Sequence, residues 1–233
     1  MKIGIMQPYF LPYLGYFQLM NACDKFVVYD NIKFTKKGWI HRNRMLLNGK
    51  DVLFSLPLKN DSDFLNVDER FISDNFDKEK NKILGQIRSS YSKAAYFPEV
   101  YPLIENIFNC NEKNLFDYIF NSIVRIKEYL SIGTELIVSS TINIDHSLKG
   151  KERVMELCKK VNGGMYINPI GGMELYDKED FKNNGINLHF HKMRPIVYAQ
   201  NNEAFLPALS ILDVMMFNSN ETIQKYLLEF DLL

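Results

Sequence analysis

The sequence predicts an α/β protein built on a central, mainly parallel sheet, with an inserted helical lobe at residues 76–132 inside a single domain spanning 1–233. Short apolar runs alternate with amphipathic stretches in both halves of the chain, the pattern of strand–helix–strand units. The first unit carries a proline- and tyrosine-rich loop directly behind its first strand. Between the halves, apolar residues recur at three- and four-residue intervals, which is helical spacing.

MKIGIM reads as a short buried strand, and Pro8 ends its ladder because proline has no amide hydrogen. Pro12 suits a turn or a first helical position, and GYFQLMNA reads as the helix that follows. DKFVVYD is the second strand. The polar stretch NIKFTKKGWIHRNR reads as a loop, and VLFSLPLK as a strand closed by Pro57. Pro98 and Pro102 mark the breaks in the helical section, which reads DKEKNKILGQIRSSYSKA, FPEVYPLIENIFN and NLFDYIFNSIVRIKEYLSI. Alternation resumes with the strand ELIVSSTI and the amphipathic helix KGKERVMELCKKV, capped by Asn162-Gly163-Gly164. MYINP, NLHFHKM and PIVYAQ read as further strands. Ser210 or Asp213 opens the last helical stretch.

Lys plus Arg and Asp plus Glu each total 28, so the formal net charge is zero. That balance supplies no global field for nucleic acid or an anionic membrane, and neither is expected as a partner. No apolar run approaches the roughly 20 residues of a membrane span. The N-terminus lacks the long apolar core of a signal peptide. Cys23, Cys110 and Cys158 are scattered and form no CxxC, which fits reduced thiols better than disulfides or a zinc site. A soluble cytoplasmic protein without metal or cofactor is the expectation.

QPYFLPYLGYFQLM lies where open α/β sheets bind ligands, beyond the carboxyl end of a strand. Aromatic stripes are commonly core. A tyrosine hydroxyl, however, needs a partner when buried, so Tyr9, Tyr13 and Tyr16 together point to a polar-edged pocket. Gly15 lets a ligand approach the backbone at a helix start, where free amide hydrogens suit a phosphate. Gln7 both donates and accepts, which suits a sugar hydroxyl or a nucleobase edge.

In KFTKKGWIHRNR, the residues Lys36, Lys37, His41, Arg42 and Arg44 surround the only tryptophan, Trp39. A solvated basic loop is the plain reading. Trp39 and His41 argue for more, because guanidinium and ammonium groups bind diphosphate and an indole face stacks on a base or sugar. Asn43 adds orienting hydrogen bonds. The composition suits a nucleotide-diphosphate sugar.

His41 is the first candidate general base, since imidazole titrates near neutral pH. Asp30, at the end of the second strand, is the other; its plain reading is a turn former. His189 and His191 share one face of a strand. They read as exposed strand residues, a base, or a metal pair lacking a third ligand at motif spacing. Ser210 and Asp213 share a helical face and serve the site or cap the helix. Asn168, Gly171 and Gly172 form a second backbone cradle or only a turn, and Tyr198 with Gln200 is a further polar cluster. One cleft lined by residues 7–16, 36–44 and 168–172 with Tyr198 and Gln200 is expected. Cys158 reads as core.

Four stretches (QPYFLPYLGYFQLM, YDNIKFTKKGWIHRNRM, YINPIGG with LY, and YAQ-x5-FLPALSILDVMMFN) resemble the WbqC-like proteins nearly end to end. Ala95 in SYSKAAYF departs from the proline expected at that helix start. The resemblance implies a place in surface-polysaccharide or O-antigen biosynthesis. The reaction it implies moves an aminoacyl group such as glycyl, or another acyl group, from an activated donor onto the amine of a nucleotide-linked amino sugar. Tyr13-Leu14-Gly15-Tyr16 also sits where nucleotidyltransferase-like folds carry His-x-Gly-His, whose histidines hold nucleotide phosphates. Both are tyrosine here, so that likeness implies a nucleotidyltransferase or Rossmann-like topology and weighs against adenylyl transfer. In the transfer reading His41 or Asp30 takes the amine proton, Lys37 and Arg44 clamp the diphosphate, and Trp39 and Tyr13 hold a ring. An ATP-dependent ligase-like enzyme and a non-catalytic sugar-nucleotide binding protein are the rival readings.

Overall fold

The computed structural model describes residues 1–201 and 204–233. β1 (Lys2–Met6) runs through the aromatic loop into α1 (Leu14–Asn21) and returns as β2 (Lys25–Val28), parallel to β1. A hairpin follows, β3 (Arg42–Leu47) and β4 (Lys50–Ser55), turning on Asn48 and Gly49 at positive φ as a two-residue hairpin turn requires. Helices α2 (Phe76–Tyr91), α3 (Phe97–Phe108) and α4 (Leu115–Tyr129) come next, before β5 (Glu135–Val138) pairs parallel with β2. α5 (Gly150–Lys160), β6 (Met165–Pro169), α6 (Lys178–Lys182) and β7 (Asn187–Met193) extend the sheet on the other side of β1. α7 (Ile211–Phe217) and α8 (Asn220–Tyr226) lead to β8 (Phe230–Leu232), the antiparallel edge.

The six-strand sheet has the order β5-β2-β1-β6-β7-β8 and is otherwise parallel. Counted among themselves along the chain these strands run 3-2-1-4-5-6, so the order reverses between β1 and β6. That reversal leaves a crevice at their carboxyl ends, because the connections leave toward opposite sides.

Strand alternation sorts the core into two layers. Ile3, Ile5, Val27, Tyr166 and Leu188 face one side with α5 and α6, whereas Phe26, Val28 and Ile167 face the other with α1 and α7. The helical character expected at 76–132 is present in α2, α3 and α4. Their buried residues, among them Ile83, Ile104 and Ile123, belong to the same cluster as α1, the hairpin and α7, so the segment has no core of its own. α5 ends as read: Asn162 takes positive φ, and the Gly163 amide donates to the Cys158 carbonyl at 2.7 Å. Ser210 is the N-cap of α7, its Oγ accepting from the Leu212 amide at 3.2 Å.

Three local expectations fail. Pro102, read as a break, lies inside α3, in its second turn. PIVYAQ forms no strand, because the side chains of Tyr198 and Gln200 bond inward to Asp213 and draw the backbone off the sheet. Residues 42–44, read as loop, open β3; their pairing with β4 sets them at its head, which composition alone hides.

Candidate functional site

The cleft expected at the sheet's carboxyl edge lies between the ends of β1 and β6, with a volume of about 540 Å³. Gln7 and Tyr9 line it from the loop after β1; Asn168, Gly171 and Gly172 line it from the turn after β6. A second cavity of about 220 Å³ shares Tyr9 and is walled by Tyr13, Trp39, Asn43 and Arg44. A third of about 150 Å³ shares Tyr13 and Ala208 with the second and reaches Tyr198. Residues from all four expected stretches therefore meet along one chain of adjoining cavities, hinged on the rings of Tyr9 and Tyr13.

The aromatic loop is bent by a residue outside the expected set. Leu11 is fully buried at φ +44°, a strained conformation for a branched residue. Its carbonyl is held from two sides, by Asn43 Nδ2 and Ser210 Oγ, each at 2.7 Å. The Phe10 amide donates to the Ile40 carbonyl at 2.9 Å, and the Ile211 amide to the Pro12 carbonyl at 2.8 Å. These bonds from the hairpin and α7 aim Tyr9 and Tyr13 into the cavities. Asn43 thus shapes the site as well as lining it, and Ser210 acts from behind it.

Gly15 serves Tyr13 in the same way. A Cβ there would lie 2.3 Å from the Tyr13 ring, so glycine lets the ring lie across the start of α1. Tyr16 is core: it is buried against Phe26 with ring centres 5.3 Å apart. The Tyr9 hydroxyl donates to Gln7 Oε1 at 3.3 Å. Burial, then Tyr13, pushes the Tyr9 pKa up to about 12, which keeps the phenol a neutral donor at ordinary pH.

The basic block divides. Arg44 bonds Asp51 at 2.9 Å and the Ala208 carbonyl at 3.2 Å, and the Arg42 guanidinium holds the Gly38 carbonyl at 2.8 Å. Both guanidinium carbons lie within 5.8 Å of the Trp39 ring centre, so the cations and the indole form one stack at the second cavity. Lys37 is exposed and lines none of the three cavities. His41 also lies off them, packed on Phe34 at 5.2 Å with Nδ1 unpartnered. Burial, then Arg42 and Arg70, lowers its pKa to about 4. Asp30 is buried, and its Oδ1 accepts from Ser139 Oγ at 2.7 Å and the Ser140 amide at 2.9 Å. Those bonds tie the end of β2 to the turn after β5. Asp213 and Gln200 sit beneath the cavities, where Asp213 accepts from Gln200 Nε2 at 2.6 Å.

Four residues that bring polar groups to the main cleft, Tyr29, Lys33, Tyr166 and Tyr176, were not singled out from the sequence. Tyr29 follows β2 directly and was legible as a strand-end aromatic. Lys33 lies in an otherwise ordinary polar loop, and Tyr166 and Tyr176 meet the cleft only through the β6 turn. The Tyr166 hydroxyl donates to Asn168 Oδ1 at 2.9 Å and so orients that amide.

The model of the WbqC-like protein family matches residues 7–225. The chain belongs to this family. An uncharacterized protein of Mycobacterium tuberculosis is 28% identical over 233 residues, covering 97% of each chain. No solved structure matches.

In this WbqC-like chain the cysteines and remaining histidines stand apart from the cavities. Burial pushes the Cys158 thiol up to about 12, and the residue lies on the buried face of α5. His191 is buried against Phe230, ring centres 4.8 Å apart. Among the described residues no group of three or more His, Cys, Asp or Glu side chains is arranged to hold a metal ion. No described helix is long and apolar enough to cross a membrane.

Gly172 offers a local test of the cleft. A Cβ there would fall 1.7 Å from Asn168 Nδ2, so alanine must displace the side chain that Tyr166 orients. Gly172→Ala is expected to keep the fold and weaken binding of whatever fills the cleft by about tenfold, the worth of one well-placed hydrogen bond. A melting temperature together with a ligand titration checks it; unchanged affinity would place Asn168 outside recognition.

Proposed function

We propose that this protein is a transferase of surface-polysaccharide biosynthesis that binds a nucleotide-linked amino sugar and moves an aminoacyl or acyl group onto its amine. One observation carries the reading: a cleft at the reversal point of the sheet, lined by tyrosines, Gln7, Asn168 and Lys33, joins through Tyr9 to the Trp39–Arg44 stack. Ring faces suit a base and a sugar, amides suit their hydroxyls and edges, and the cations suit a diphosphate. The 3-2-1-4-5-6 strand order supports it, being the order of Rossmann-like sheets that bind nucleotides at this crevice. Membership of the WbqC-like family supports the pathway class.

In the reaction the sugar amine attacks the acyl carbon of an activated donor. The bond from that carbon to the leaving group breaks, its electron pair departing with the leaving group, and the amine proton passes to a base. His41 is the proposed base. Burial keeps its imidazole neutral at pH 7, able to accept that proton. A second reading, a non-catalytic sugar-nucleotide binding protein, is favoured by one observation: neither His41 nor Asp30 lines a cavity.

Calorimetric titration with a panel of nucleoside-diphosphate amino sugars, paired with a turnover assay, separates the two. Lys33→Ala and Arg44→Ala are each expected to weaken binding about tenfold or more, as loss of a charge-assisted hydrogen bond does. His41→Ala is expected to bind like the parent and turn over about a hundredfold more slowly. A parent that binds no such nucleotide overturns both readings; a parent that binds without turning over any donor leaves the second.

A further inference from the structure

We infer that the third cavity seats the chain of the transferred group, and that this chain is a short, uncharged aliphatic acyl rather than a glycyl or other ammonium-bearing group. The inference rests on the transfer reading above and names its donor class. The cavity, about 150 Å³, is walled by Leu14, Met193, Ile196, Phe205, Leu209 and Val214 among other apolar groups. Among the described residues no charged side chain lines it. Its polar atoms are few, and the Tyr198 hydroxyl is already committed, donating to Asp213 Oδ2 at 2.7 Å. Apolar walls of this extent favour an aliphatic chain of a few carbons, whose burial removes apolar surface from water. An ammonium group placed against these apolar walls would lose hydration with no described carboxylate to replace it.

Position makes the cavity part of the site rather than a packing gap. Tyr13 and Ala208 form a common wall with the Trp39–Arg44 cavity, which shares Tyr9 with the main cleft. Ala208 holds positive φ, +56°, and its carbonyl accepts from Arg44 at 3.2 Å, so the wall is fixed from the hairpin side. A donor whose polar end lies on Trp39 and Arg44 therefore has one apolar direction for its chain.

The test follows the methyl resonances of Leu14, Met193 and Val214 while acetamide, propionamide, butyramide, hexanamide and the cationic glycinamide are titrated into the protein. Affinity is expected to rise about fourfold per added methylene up to roughly six carbons, with the shifts confined to those methyls. Glycinamide is expected to produce none. Val214→Phe fills the cavity and should abolish the chain-length gain. Val197→Asp puts a carboxylate at a 70% exposed rim position, where folding is undisturbed, and should reduce the gain if the filled variant does not fold. Equal binding of glycinamide and butyramide, or affinity independent of chain length, overturns the inference. A parallel nucleotide-sugar titration keeps the two proposals apart. Chain-length dependence without nucleotide binding sinks the proposed function and leaves the aliphatic site; nucleotide binding without chain-length dependence does the reverse.

Discussion

Asp213→Ala is expected to cost about 3–5 kcal/mol of folding stability, because it leaves several donors without an acceptor at about 1–3 kcal/mol each. Asp213 has no exposed surface, and its carboxylate accepts from the Tyr91 hydroxyl at 2.8 Å, the Tyr198 hydroxyl at 2.7 Å and Gln200 Nε2 at 2.6 Å. Tyr91 in turn accepts from the Leu46 amide at 2.9 Å. One carboxylate thus joins α7, α2, the hairpin and the segment that walls the third cavity. Burial raises its pKa, and these three hydrogen bonds oppose the rise. Alanine leaves three buried donors unmatched, each worth about 1–3 kcal/mol when orphaned. For a chain of this length the melting temperature should fall by about 10 °C. Asp213→Asn keeps one acceptor but turns a donor toward a donor, so an intermediate loss is expected. A melting temperature within a degree of the parent for Asp213→Ala would remove the carboxylate from this role.

Acid should destabilise the protein well before its carboxylates are neutralised. His191 is buried with Nε2 unpartnered, and burial lowers its pKa to about 4; His41 is lowered to about 4 as well. In the unfolded chain both return to about 6.5. Between those values the unfolded state binds more protons, so the stability these neutral imidazoles allow is complete above pH 6.5. It is lost as pH falls toward 4. The slope is about 1.4 kcal/mol per pH unit for each fully responding histidine, or roughly 2–3 kcal/mol for His191 across the window. Urea unfolding at pH 7, 5.5 and 4.5 measures it. His191→Phe, which keeps a ring against Phe230, should flatten the curve by the His191 share. An unchanged slope would show that His191 is protonated in the fold without cost.

The parallel strands of the sheet and the helices α1 to α5 were legible because each is a local period: two residues for a buried strand, three to four for a helix with one apolar face; the short edge strand β8 was not. The opening loop was legible as a site element for a similar local reason. Two prolines and three tyrosines behind a strand resist both continued pairing and ordinary core packing. Residues singled out by type alone fared unevenly. Trp39, Arg44, Asn168 and Tyr13 line cavities, whereas Lys37, His41 and Asp30 do not. Residue type does not fix where a side chain points once its neighbours in space are chosen by the fold.

The sequence by itself determined the alternating α/β order, the helical middle, the capped ends of α5 and α7, the aromatic loop beyond β1 and the family to which the chain belongs. Tertiary structure alone decided four other things. PIVYAQ leaves the sheet, Leu11 is bent against its preference, Lys33 and Tyr166 join the cleft, and Asp213 is a structural hub. The physical reason is one of range. Periodicity and capping act over a few residues and are written in the chain. The bonds from Asn43 and Ser210 to Leu11, and from Tyr198 and Gln200 to Asp213, close between segments that become neighbours only when the hairpin, α7 and the sheet edge pack together.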